Sequence, residues 1–108
     1  MADPIALVVT TLGDEASADA LARRLIEDRL AACAQVVQVR STYHWQGQLE
    51  QAEEWRLEAK TTTDLAARLA EAIAAGHPYE LPEVLTIGCL AEPRYAQWVA
   101  RECRGDDA

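Results

Sequence analysis

Gln35-Val-Val-Gln-Val-Arg-Ser-Thr-Tyr-His-Trp45 carries Val37, Val39, Tyr43 and Trp45 in alternation with Gln38, Arg40, Thr42 and His44. A period of two with one polar side is the pattern of a long strand with one wet face. Gln46-Gly47 supplies a turn, and Trp55, Leu57 and Ala59 then alternate with Glu54, Arg56, Glu58 and Lys60. The two runs read as a β-hairpin whose unlike charges can pair across the strands.

On the N-terminal side of the hairpin, Ile5-Ala-Leu-Val-Val9 is a short apolar run rich in β-branched residues and bounded by Pro4 and Gly13. It predicts a buried, central strand. Asp14 or Ser17 can cap a following helix in which Ala18, Leu21, Ala22 and Leu25 recur at helical spacing, with Ile26 and Leu30 widening the stripe. Beyond the hairpin, Thr63 is a candidate N-cap for a helix carrying Ala66, Leu69, Ala70 and Ile73 and ending at Gly76. His77-Pro-Tyr-Glu-Leu-Pro82 reads as extended, because each proline fixes its own φ and biases the preceding residue away from the helix. Val84 to Leu90 is the last predicted strand. Pro93 suits a first helical turn, with Tyr95, Trp98 and Val99 on one face of a closing helix and a tail from Arg104 to Ala108 expected to fray.

The order strand, helix, strand, strand, helix, strand, with one more helix, predicts an α+β, ferredoxin-like βαββαβ domain over residues 1–108. Two helices on one face of a four-stranded sheet leave the other face uncovered. That face combines the charged run Glu54 to Lys60 with an apolar first strand, so association of subunits through it is expected.

The chain has 108 residues, 50% of them hydrophobic, and no Phe, which suits one small domain with a thin core. Its formal net charge of −8 argues against binding nucleic acid or an anionic membrane and favours cations as small partners. Ile5 to Val9 is too short for a membrane span, and no basic segment precedes it, so a cytoplasmic protein is expected. Cys33, Cys89 and Cys103 are odd in number and widely spaced, which excludes a disulfide framework and a paired C-x-x-C zinc site. No phosphate loop, nucleophile elbow or H-E-x-x-H motif occurs, and an enzyme is not expected. Special residues cluster instead at Tyr43-His-Trp-Gln-Gly47 and at His77-Pro-Tyr-Glu-Leu-Pro82.

Arg29-Leu-Ala-Ala-Cys33, Tyr43-His-Trp-Gln-Gly47, Glu53-Glu54, Lys60-Thr-Thr62, His77-Pro-Tyr-Glu-Leu-Pro-Glu83 and Tyr95-Ala-Gln-Trp98 follow one another in an order and spacing that closely resemble the CutA divalent-cation tolerance family. The resemblance spans nearly the whole chain. It implies a homotrimer of ferredoxin-like subunits, with an architecture similar to the PII signalling proteins, no enzymatic reaction, and binding of copper or another divalent cation. It also makes His77 and Cys33 the candidate metal ligands.

The chain departs from that family in three places. Val37-Gln38-Val39-Arg40 stands where relatives carry Pro-Gly, so a strand without the usual bulge is expected. Thr10 and Gly76 stand where some relatives carry Cys and His, which leaves His77 alone of a proposed trio. Each candidate also has a plainer reading. His77 could cap the helix ending at Gly76, Cys33 could be a packing thiol, and His44 a solvated or interface residue. The single lysine, Lys60, could pair with Glu58 or, with Trp45, Glu54, Tyr79 and Glu80, line an inter-subunit cleft for a small anionic ligand or partner.

Overall fold

The computed structural model describes residues 1–105. In chain order the elements are β1 (Asp3–Leu12), α1 (Glu15–Glu27), β2 (Cys33–Trp45), β3 (Gln48–Thr61), α2 (Ala66–Ala75), β4 (Leu85–Ala91) and α3 (Pro93–Arg104). The strands form one antiparallel sheet in the order β2-β3-β1-β4, with β1 internal as its apolar run requires. This is the ferredoxin-like α+β arrangement with an added C-terminal helix.

The hairpin turns on two residues. Gln46 and Gly47 have φ of 51° and 80°, the paired left-handed conformation of a type I′ turn, whose twist matches that of the flanking strands. Pairing then runs without a break from Trp45 opposite Gln48 to Cys33 opposite Lys60, so β2 and β3 carry no bulge.

Directly opposed residues share a face, and alternate residues switch faces. Ala6 and Val8 of β1, Leu57 and Ala59 of β3, and Ala34 and Val36 of β2 therefore meet the helices. There they pack with Ala18, Leu21 and Leu25 of α1 and Ala66, Leu69 and Ile73 of α2. The expected dry side of β2 is reversed near its start. Val36 stands opposite Leu57 and enters the core, whereas Val37 stands opposite Arg56 and is 54% exposed. A two-valine step reads equally well in either phase, and only the partner strand selects one.

Asp14 caps α1, accepting from the Ser17 N–H at 2.8 Å and the Ser17 hydroxyl at 3.0 Å. Ile26 lies outside the apolar stripe, at 37% exposure. Thr63 does not cap α2. The chain passes through a turn in which the Leu65 N–H donates to the Thr62 carbonyl, and the helix begins at Ala66 with no side-chain cap.

Glu92 caps α3 instead, and Pro93 occupies the first helical turn. The buried face of α3 is Ala96, Val99 and Cys103, packed on Ile5, while Tyr95 and Trp98 lie only partly buried beside it. The second sheet face is thus covered at one end. Beyond α3, Leu85 and Ile87 of β4 stay about half exposed, at 49% and 42%. Of the tail expected to fray, Arg104 ends α3, Gly105 is its left-handed cap, and residues 106–108 lie outside the described residues.

Candidate functional site

The two clusters picked out by sequence converge. The segment after α2, expected to be extended, instead bends at residues 78–81 and sets His77 and Tyr79 against the end of β1. The Nδ1 of His77 accepts the Tyr79 N–H at 3.1 Å, and its Nε2 donates to the Thr11 carbonyl at 2.9 Å. An imidazole so placed is the neutral Nε2–H tautomer with both nitrogens engaged. It does not cap α2; its partner is the backbone of β1.

The Tyr79 ring meets His77 edge-on, with centroids 4.9 Å apart, and its hydroxyl donates to Oε2 of Glu54 at 2.9 Å. Burial, then the hydrogen bond to Glu54 and the Glu54 charge, push the Tyr79 phenol up to about 12. Gly13 makes room for it, since a Cβ there would stand 3.2 Å from the Tyr79 hydroxyl oxygen. Glu54 is itself 8% exposed.

Beside this chain of contacts lies a groove of about 680 Å³ between the hairpin and the segment before β4. The rings of Tyr43, Trp45 and Tyr79 line it together with Glu54, Glu80 and Glu83. Thr11, Ser41 and Thr42 complete its polar wall. Sequence reading named Trp45, Glu54, Tyr79 and Glu80 but missed Tyr43, Glu83 and the hydroxyls. Tyr43 sits in the same motif as Trp45, and two residues along a strand return to one face, a signal that was available.

Lys60 is not part of this groove. It lies six residues along β3 from Glu54, about 20 Å away, with its ammonium 5.7 Å from the Tyr95 ring centroid. Among the described residues no lysine or arginine lines the groove, so they offer an anion no counter-charge there. The expected pairing of Lys60 with Glu58 gives way to Arg56, whose Nε stands 3.0 Å from Glu58 Oε2.

The expected metal donors are also apart. Cys33 stands opposite Lys60 at the far end of the hairpin, whereas His77 binds Thr11, opposite Arg56. Four residues of β3 separate those two positions, about 14 Å. Among the described residues no three His, Cys, Asp or Glu side chains gather as a metal site, so the donors of one chain do not fit a bound ion. The three cysteines are unpaired. Thr10, at the position where some relatives carry Cys, points into the core opposite Leu57, and its hydroxyl has no partner among the described residues.

A ferredoxin-like fold with a long type I′ hairpin, an added C-terminal helix and a His-Pro-Tyr segment docked on β1 defines the class. Residues 6–102 match the model of the CutA1 divalent ion tolerance protein family. The chain belongs to that family. It is 37% identical over 95 residues to the divalent-cation tolerance protein CutA of Thermus thermophilus, covering 86% of this chain and 92% of the relative. Against the CutA of Escherichia coli the identity is 35% over 100 residues, covering 91% and 89%. The solved CutA of Synechococcus elongatus superimposes with a TM-score of 0.89 at 31% identity, over 93% of this chain and 90% of that one. The periplasmic divalent cation tolerance protein CutA of Archaeoglobus fulgidus gives 0.87 at 25% identity, over 92% and 98%. No helix among the described residues is long and apolar enough to cross a membrane.

Proposed function

We propose that this chain serves divalent-cation tolerance as a non-catalytic, copper-type cation binder, working as a homotrimer in the cytoplasm. The observation that carries the reading is the match to the divalent ion tolerance family from residue 6 to residue 102. Cys33 and His77 are the ligands we assign, a soft thiolate and an imidazole of the kind copper prefers.

Because these two side chains are far apart in one subunit, a complete shell needs donors from neighbouring subunits. To hold an ion through Nδ1, His77 would have to release the Tyr79 N–H that this nitrogen now accepts. The half-exposed Val37, Leu85 and Ile87 favour the trimer, since burying them against other copies removes apolar surface from water. Three unpaired cysteines suit a reducing compartment. The non-catalytic reading is supported by His77, whose nitrogens are consumed by backbone groups, and by Tyr79, whose phenol at about 12 holds its proton near neutrality.

Isothermal titration of the full chain with copper and zinc, beside Cys33→Ser and His77→Ala and with the mass followed by light scattering, tests this. Saturable binding by a trimer that is lost in either variant is the expected result. Undiminished affinity in both variants overturns the ligand assignment, and the absence of saturable binding overturns the function.

A further inference from the structure

The groove beside Tyr79 holds a carboxylate without a cation. Glu54 is more than nine-tenths buried, and among the described residues it receives one hydrogen bond, from the Tyr79 hydroxyl, and no ion pair. A buried carboxylate normally has a cation or several donors around it, because losing its hydration is otherwise costly. Glu54 lines the groove, and so do Glu80 and Glu83, while no basic side chain does. Three aromatic rings share the lining, and Tyr43 and Trp45 are still 42% and 39% exposed. The volume of about 680 Å³ is that of a small-molecule site.

We infer that this groove binds an organic ammonium cation, with its charge against Glu54 and its alkyl groups against Tyr43, Trp45 and Tyr79. The aromatic lining decides between this occupant and a bare metal ion. Ring faces do not ligate metals, but they attract ammonium groups carrying an apolar shell. A metal ion needs several convergent oxygen donors, and the three carboxylates do not gather into such a cluster. The charge of −8 draws cations of either kind toward the protein. The site is distinct from Cys33 and from the His77 nitrogens, so it stands whether or not those residues bind metal.

The test is a titration of the full chain with choline as the probe, in buffer containing a chelator, followed by NMR on the tryptophan indole and backbone amide signals. The same titration uses 3,3-dimethylbutan-1-ol, the uncharged carbon isostere, and is repeated on Glu54→Gln and Trp45→Leu. Glu54→Gln keeps an oxygen acceptor for the Tyr79 hydroxyl, and its Tm and amide spectrum report on the fold. Saturable shifts of Trp45 and Tyr79 by choline are expected, with affinity falling about tenfold or more for the isostere and for each variant. Equal shifts by the isostere overturn the proposal in favour of an apolar groove. Shifts by zinc or magnesium in chelator-free buffer without any by choline overturn it in favour of a bare cation. Groove signals that respond to protein concentration and not to choline overturn it in favour of a second copy of the chain.

Discussion

The hydroxyl of Tyr79 donates to Glu54 Oε2 across 2.9 Å, joining two residues 25 apart in sequence and pinning the segment before β4 to the middle of β3. Tyr79→Phe removes the one donor that this buried carboxylate receives among the described residues. The variant is expected to lose about 1–3 kcal/mol of stability, read by urea denaturation at neutral pH.

Burial of Tyr79, and after it this bond to Glu54, set a pH dependence. The Tyr79 phenol is raised from the ordinary 10 to about 12 in the folded chain, so its contribution is fully present below pH 10 and is lost as pH rises from 10 toward 12. Wild type should lose stability more steeply than Tyr79→Phe over that window. Parallel slopes in thermal melts at pH 9 to 12 would remove this role from Tyr79.

The hairpin turn holds Gln46 at φ 51° and Gly47 at φ 80°. Asn tolerates the left-handed region better than Gln, so Gln46→Asn should stabilise by about 0.5 kcal/mol. Nothing lies within 4 Å of a Cβ placed on Gly47, so the cost of Gly47→Ala is backbone strain alone, about 1–2 kcal/mol. Both values come from chemical denaturation, and a loss of stability in Gln46→Asn would contradict the turn assignment.

Thr10 is fully buried with its hydroxyl unpartnered. Val keeps the shape and removes the polar group, so Thr10→Val should raise stability by about 1 kcal/mol or more. A destabilised variant would mean that the hydroxyl has a partner in solution, such as a buried water.

Ile87 is 42% exposed on the sheet face that α3 leaves bare. Within one subunit Ile87→Glu should cost little, but in a homotrimer sealed through that face the charge must be buried without a partner. Sedimentation should then report monomer for the variant and trimer for wild type. A trimeric Ile87→Glu would place the interface elsewhere.

The order of elements, the central β1 run, the Asp14 cap and the Gln46-Gly47 turn follow from side-chain period and backbone punctuation, which act over a few residues. The family resemblance was legible for the same reason, because its motifs are short runs at fixed spacing.

Tertiary structure decided the rest. Which valine of the Val36-Val37 pair enters the core depends on which residue of β3 stands opposite, and that register belongs to the pairing of two strands. Thr63 has the chemistry of a cap, yet the chain spends it in a turn so that α2 can start at Ala66 with its apolar side on the sheet. His77 finds the Thr11 carbonyl across 66 residues, and Glu54 finds Tyr79 across 25, so neither partner is visible in a local pattern. Lys60 and the groove share one strand but lie too far along it to meet, because an extended chain separates residues by about 3.4 Å each. Residue types announced the chemistry available, and the distances that only a packed sheet sets determined which of those groups could act together.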